Sequence, residues 1–147
     1  YKNVVRYFIK PLLPLYKKFI GERSKIRSIF TSDGYLLFED KTNNIKKIQP
    51  KVLREDGHPT FNPNNQDIFI SDTYEQEDNH RELFLFNINT NNKVDIDRLY
   101  SMKEYDNSAI RCDLHPKWSY DGKYISIDTM NDGVRGIYIY DVSELVQ

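Results

Sequence analysis

Two short segments of this chain share the pattern Asp-x-His-Pro-x-aromatic, at residues 56–61 and again at residues 113–118. In each copy the Asp and the His are two residues apart, so an extended strand directs both side chains to the same side. A carboxylate beside an imidazole is suited to hold a divalent metal ion such as manganese or zinc. The same pair is suited to acid–base chemistry, in which the carboxylate orients the imidazole tautomer.

The sequence after each copy is also similar in the two places. A polar turn and an apolar run lead to Asp-Thr, at residues 72–73 and 128–129. The period from His58 to His115 is 57 residues, which exceeds the roughly 40–50 residues of a usual propeller blade. We expect the excess to lie in loops at residues 75–81 and 100–110. Repeated strand–turn–strand units with matched turns are typical of a β-propeller.

A structural role explains the repeated histidines without any chemistry. His58 and His115 would each hydrogen-bond a neighbouring strand or turn, and Asp72 and Asp128 are the candidate acceptors. A repeated motif is more often structural than catalytic, because a catalytic site needs its residues only once. The pattern therefore favours an architectural role and leaves ligand binding as the alternative.

The rest of the chain predicts a mostly β fold. Turn residues and apolar runs with β-branched and aromatic residues indicate short strands. We place these at residues 28–38 (with an Asp-Gly turn), 45–48, 59–61, 67–71, 82–87, 93–96, 116–118, 123–128 and 136–141. The sequence thus predicts a partial propeller of about three antiparallel blades, in a domain that spans residues 23–147.

Residues 1–22 have a different pattern. Apolar residues recur there at steps of three and four, which indicates an amphipathic helical segment. Pro11 and Pro14 oppose one continuous helix and favour a short helix followed by a second one. We expect this N-terminal segment to act as a capping or interdomain helix. Binding to a membrane surface is the alternative.

Composition excludes some partners. The net charge is −1 over 147 residues, so no overall positive field recruits nucleic acid or an anionic membrane. A single Cys rules out an internal disulfide. No apolar run is long enough for a transmembrane span. We therefore expect a soluble protein and, because the chain begins at Tyr1, a shortened, processed or partial one.

Several segments together resemble a known family. They read Gly-His-Pro-Thr-Phe at 57–61, Asp-Thr-Tyr at 72–74, Leu-Phe-Leu-Phe at 83–86, Arg-Cys-Asp-Leu-His-Pro-Lys-Trp-Ser at 111–119, Asp-Gly-Lys at 121–123 and Ile-Tyr-Ile at 137–139. With them, residues 56–142 resemble the TolB-like, WD-type propeller repeats of bacterial oligogalacturonate lyase-type proteins. This resemblance implies a complete ring of about seven blades, in the cytoplasm or periplasm of a bacterium. Because this chain holds fewer blades, we expect the remainder of a longer propeller, self-association, or an open stack capped by the N-terminal helices.

The same resemblance implies a function. Such a domain would bind an acidic polysaccharide, or cleave it by metal-assisted β-elimination. His58 and His115 would ligate the metal, with manganese as the expected ion, and the catalytic residues would be Arg111, which holds the uronate carboxylate, and His115. The other residues expected to contact the ligand are Asp56, Asp72, Tyr74 and Asp113. The chain departs from the family site because its third His, His80, lies outside the motif. The alternative is a non-catalytic propeller fragment that mediates protein–protein contact or assembly.

Overall fold

The alternating apolar residues do form strands, and the strands form three separate antiparallel sheets. A computed structural model describes residues 35–48, 52–53, 55–105 and 110–147. The first sheet contains β1 (Tyr35–Phe38) and β2 (Ile45–Ile48); the second contains β3 (Thr60–Phe61), β4 (Ile68–Asp72), β5 (His80–Asn87) and β6 (Asn92–Tyr100); the third contains β7 (Lys117–Trp118), β8 (Tyr124–Thr129) and β9 (Gly136–Asp141). Each strand pairs with its neighbour in sequence, and one 3₁₀ turn (Lys103–Tyr105) follows β6. The prediction of a mostly β, antiparallel fold is confirmed for these residues.

Apolar side chains pack the sheets against one another in chain order. Phe69, Phe84 and Phe86 of the second sheet are buried in one cluster, and Tyr35 of the first sheet stacks on Phe69 with ring centroids 5.6 Å apart. A second cluster joins the opposite face of the second sheet to the third sheet. Its buried strand residues are Ile68, Ile70, Leu83, Leu85, Leu99, Ile125 and Ile127. The second sheet is therefore covered on both faces.

Among the hydrogen bonds that join the second sheet to the third, two lie at the motif copies and at the turns that follow them. The Trp118 indole Nε1 donates to the Thr60 carbonyl over 2.9 Å. The buried Asn62 side chain donates to the Gly122 carbonyl over 2.8 Å, and its own oxygen accepts the backbone N–H of Asn64 and Asn65. Gly122 has a φ of 68°, which a glycine adopts at little steric cost. Both predicted turns thus form, and they meet at the junction between the two sheets.

Two predicted boundaries are wrong. The predicted loop at residues 75–81 ends earlier, because β5 already begins at His80. Asn79 lies in the turn before β5 and has a φ of 61°. The backbone N–H of Asn79 donates to the Gln76 carbonyl, and the backbone N–H of Gln76 donates to the His80 carbonyl. Strand β6 runs on to Tyr100, beyond the predicted end at residue 96. The polar residues here stay in strands because their pairing along β5 and β6 outweighs their local preference for a loop.

Some predictions lie outside the described residues. These are the helical segment at residues 1–22, with its capping or membrane-surface role, and the strand at residues 28–33. The described residues belong to one compact unit, residues 34–147. Within them, no helix is long and apolar enough to cross a membrane. The arrangement of the sheets as blades of a propeller stays a prediction.

Candidate functional site

The first copy of the motif holds its histidine against a buried carboxylate. Asp72, the last residue of β4, is 1% exposed. Its carboxylate accepts the backbone N–H of His58 over 2.8 Å and lies 3.0 and 3.1 Å from the imidazole Nδ1. A carboxylate has only acceptors to offer, so it favours the tautomer with the proton on Nδ1. The predicted His58–Asp72 pair is confirmed, and Nε2 is the ring nitrogen of His58 that this pair does not use.

Gly57 allows this arrangement because the chain passes very close to the end of β4. A Cβ at position 57 would lie 1.8 Å from the carbonyl oxygen of Asp72 and 2.8 Å from the hydroxyl of Ser71. No side chain fits there. The glycine of the first motif copy is thus required by a close approach of two backbone segments, whereas the second copy has Leu114 at the equivalent position.

The second copy is built differently, although its sequence is so similar. His115 has a φ of 42°, a left-handed conformation that is uncommon for a residue with a side chain. Its predicted partner Asp128 instead donates its backbone N–H to the Leu114 carbonyl over 2.9 Å, and the Asp128 carboxylate lies 3.7 Å from Arg135. The predicted pairing of the His115 imidazole with Asp128 is therefore wrong. The His115 ring lies against the His58 ring, with centroids 4.4 Å apart.

Two arginines hold the carboxylate of the second copy. Asp113 is 10% exposed, and its Oδ1 accepts from Nη1 of the buried Arg81 over 2.6 Å. Its Oδ2 accepts from Nε and Nη2 of Arg111 over 3.1 and 2.6 Å. Burial acts to raise the pKa of Asp113, but the Arg111 hydrogen bond and the charges of both arginines outweigh it and lower the pKa. Asp113 is therefore an ionised, fixed carboxylate at neutral pH.

These contacts bring three candidate ligands together. One side-chain donor atom each from His58, Asp113 and His115 lie within 4.8 Å of one another. Arg111 lies beside them, with its Cζ 5.6 Å from the centre of the Tyr74 ring, which in turn contacts the His58 ring.

The other candidates have different places. Asp72 stands behind His58 as its support. Asp56, the counterpart of Asp113, is exposed and is not part of the three-residue cluster. His80 lies apart as well: its Nδ1 is 2.8 Å from the Asp78 carbonyl. The two motif copies thus contribute unequally, with a His from each and an Asp from the second.

Two members of the cluster, His58 and His115, also line a cleft, together with residues of β3, β7, β8 and β9. This cleft has a volume of about 800 Å³. Its lining includes the side chains of His58, His115, Lys117, Asp128 and Ile137. This volume lies within the roughly 300–1,000 Å³ that is common for small-molecule sites.

The sequence did not identify Arg81 as part of the site. It was assigned to a polar loop, but it lies on β5 with 2% exposure. One signal was available: Arg81, Leu83 and Leu85 alternate along the sequence, and alternate residues of a strand share a face. An Arg on a buried face requires a charged partner, which here is Asp113.

The lowered pKa of Asp113 predicts a particular acid response. The ordinary pKa of an Asp carboxyl in the unfolded chain is about 3.9. When folding lowers this pKa, the ionised carboxyl stabilises the fold fully at pH values above about 3.9. This stabilisation is lost as the pH falls through the lower pKa of the folded state. We expect Asp113→Asn to be less stable than the wild type at neutral pH. We expect the two to converge in strong acid, in urea titrations at a series of pH values. Asp40→Asn is the control, because the Asp40 side chain is 90% exposed and an exposed pair contributes at most about 1 kcal/mol. A constant difference between Asp113→Asn and the wild type would contradict the assignment.

Comparison with known proteins adds no relative. No protein-family model, curated protein or solved structure matches this chain. The likeness to lyase-type propeller repeats therefore depends on the quoted motifs alone. What the site does has to be argued from its own geometry.

Proposed function

We propose that the chain binds a divalent metal ion through His58, Asp113 and His115, and binds an acidic saccharide beside it. The observation that carries this proposal is the convergence of these three side chains. Their donor atoms lie within 4.8 Å of one another, although the segments that lead into two different sheets supply them. When a metal ion binds its ligand atoms at about 2.1 Å, any two of those atoms lie within about 4.2 Å of each other. The side chains therefore need only a small adjustment.

The residues fit such an ion in type as well as in position. Two imidazoles and one ionised carboxylate suit manganese or zinc. A ligating histidine usually donates its other ring N–H to a carboxylate, which is the role that Asp72 has toward His58. Three protein ligands leave coordination positions for a substrate. Asp113 is the least usual member, because its two arginines compete with an ion for the carboxylate oxygens.

The backbone of His115 also favours a role in binding. A left-handed conformation outside glycine costs about 1–3 kcal/mol and is found often at functional sites. His115 is exposed, so burial of its side chain does not repay this cost. In this conformation the His115 ring lies against the His58 ring. Binding of a ligand between the two imidazole rings would explain why the chain keeps this unfavourable backbone conformation.

Positive groups around the cluster support an anionic saccharide as the second ligand. Arg111 is 41% exposed, is oriented by Asp113, and stacks on Tyr74. A guanidinium binds a carboxylate such as that of a uronate through paired hydrogen bonds. Lys117 lines the same cleft from the third sheet.

We extend the proposal to cleavage by β-elimination. A base takes the proton from C5 of a uronate, its electrons form the C4=C5 double bond, the C4–O bond breaks, and the leaving oxygen takes up a proton. A bound metal ion would make the C5 proton more acidic by polarising the carboxylate. During cleavage only His58 and Asp113 would hold the ion. His115, which is exposed in the cleft, would not bind the ion in this step and would serve as the base. Arg111 would hold the carboxylate in place.

Metal content tests the core of the proposal. We expect chain purified without chelator to retain manganese or zinc after dialysis, as measured by mass spectrometry of the metals. The double variant His58→Ala/His115→Ala should lose it, and Asp72→Asn should bind it about 10–100-fold more weakly. His80→Ala removes the remaining histidine, which lies outside the cluster, and should leave the metal content unchanged.

The saccharide is tested on the same proteins. Oligogalacturonate should bind the metal-loaded chain in calorimetry, and Arg111→Ala should weaken this binding. Ultraviolet absorbance of an unsaturated product would then distinguish cleavage from binding alone. A folded wild type that holds no metal, or equal metal loss in His80→Ala and in the double variant, would overturn the proposed site.

A further inference from the structure

The outer face of the third sheet is apolar where solvent would be expected. Ile137 and Ile139 of β9 are 69% and 70% exposed, and Tyr124 on β8 is 43% exposed. Single exposed apolar residues are ordinary. Here two β-branched residues are adjacent on one face of a strand, because alternate residues point to the same side. We call this surface the forward face; it consists of Tyr124, Ser126, Asp128, Ile137, Ile139 and Asp141.

The internal repeat shows what such a face is used for. In the second sheet, Asp72 is paired with Leu83, and Ile70 with Leu85. In the third sheet, Asp128 is paired with Ile137, and Ser126 with Ile139. Asp72-Thr73 and Asp128-Thr129 are equivalent in the repeat, so the two isoleucines occupy the positions of the two leucines.

Those leucines are buried by a neighbouring sheet. Leu83 and Leu85 are 0% and 3% exposed, because the third sheet packs on them with Ile125 and Ile127. The third sheet therefore carries, in the same register, the apolar pair with which the second sheet binds its successor. The forward face has the composition of a sheet-to-sheet contact.

The opposite end of the stack carries a second exposed apolar face. Leu36, Phe38 and Ile45 are 54%, 63% and 61% exposed. Tyr35 and Leu37, which alternate with them, pack toward the second sheet. Lys47 is paired with Leu36 and so lies on the same outer side. We call this surface the backward face; it consists of Leu36, Phe38, Ile45 and Lys47.

We propose that the forward face binds the backward face of a second copy of this chain. Each face has an apolar centre, and the forward face has the register of the surface on which the second sheet already binds its successor. Contact between two different surfaces is heterologous and closes only as a ring. The described residues form three sheets. Two copies bring six such sheets, within the roughly 4–8 blades of known propellers, whereas three copies would bring nine. The inference is therefore a closed dimer with two identical contacts.

This dimer bears on the site without depending on the metal. Ser126, Asp128 and Ile137 of the forward face also line the cleft beside His58 and His115. A second copy bound there would form a further wall of the cleft. Metal binding and dimerisation are measured separately, so either can fail alone.

Light scattering and sedimentation of the full chain test the dimer. We expect the mass of a dimer at micromolar concentration. Ile137→Asp/Ile139→Asp, the forward variant, should weaken association by roughly a hundredfold or more, because apolar burial is lost and charge is buried. Leu36→Asp/Phe38→Asp, the backward variant, should do the same. Val134→Asp is the control, because Val134 is 71% exposed but lies on neither face, and it should remain a dimer.

Mixing the two variants distinguishes a head-to-tail dimer from a symmetric one. Each variant alone lacks one of the two surfaces and should be monomeric, while the mixture retains one intact contact and should form a heterodimer. A symmetric contact between two forward faces would leave the backward variant dimeric, and this result would overturn the proposal. So would a monomeric wild type, whose forward face would then serve another partner. Circular dichroism and thermal unfolding of each variant confirm that the monomers are folded.

Discussion

Gly57→Ala should destabilise the protein by about 1–3 kcal/mol or more and disrupt the proposed metal site. The added Cβ would lie 1.8 Å from the Asp72 carbonyl oxygen. The nearest atom is backbone at the end of a buried strand, so it cannot move aside as a flexible side chain would. The strand entry has to shift instead, and His58 moves with it. Because the same Asp72 orients the His58 ring, stability and the site should fail together.

The matched control is Gly136→Ala. Gly136 begins β9, and nothing lies within 4 Å of a Cβ built there. We expect a change within about 0.5 kcal/mol, measured like that of Gly57→Ala by urea unfolding. If Gly57→Ala is as stable as Gly136→Ala, the backbone approach that shapes the first motif copy does not exist in solution.

Arg81→Met should cost about 3–5 kcal/mol, the usual result of removing one partner of a buried ion pair. Methionine keeps much of the apolar stem but removes the guanidinium. The Asp113 carboxylate then loses a 2.6 Å partner, and the Cys112 carbonyl loses its 2.6 Å donor. With one positive neighbour fewer, the pKa of Asp113 should rise toward its ordinary value. The acid transition of the variant should therefore begin at higher pH than that of the wild type.

Arg98→Ala is the control for this substitution. Arg98 also forms an ion pair, with Asp78, but its side chain is 53% exposed. Exposed pairs contribute at most about 1 kcal/mol. Equal losses in Arg81→Met and Arg98→Ala would show that the Arg81–Asp113 pair is not buried in solution. Chemical unfolding at neutral pH measures both, and nuclear magnetic resonance titration follows the Asp113 carboxyl.

Much of the fold follows from local chemistry and was predictable. The turn with Asn62 at its start and the Asp-Gly turn at Gly122 were predicted from turn residues, and both form. The strands of the second and third sheets were located to within a few residues. The His58–Asp72 pair was also predicted, because the repeat placed an Asp-Thr pair at a similar position after each histidine.

What the sequence could not provide came from contacts between the repeats. His115 has the same neighbours in sequence as His58, yet its backbone turns the other way. Arg81 is charged and flanked by charged residues, so only its distant partner Asp113 explains why it is buried. Local patterns carry no information on such pairs, which are 32 residues apart in this case. The unequal use of the two motif copies is therefore a tertiary effect.

The seam between the second and third sheets has a consequence for how a ligand acts on the whole domain. His58 enters the second sheet and His115 enters the third, close to where Trp118 donates to Thr60. Any ligand that contacts both imidazoles therefore also bridges the second and third sheets. Its binding energy adds to the cohesion of the folded state by linkage. A displacement of one sheet relative to the other would separate the two imidazoles. It would therefore be observed first as a loss of affinity for this ligand.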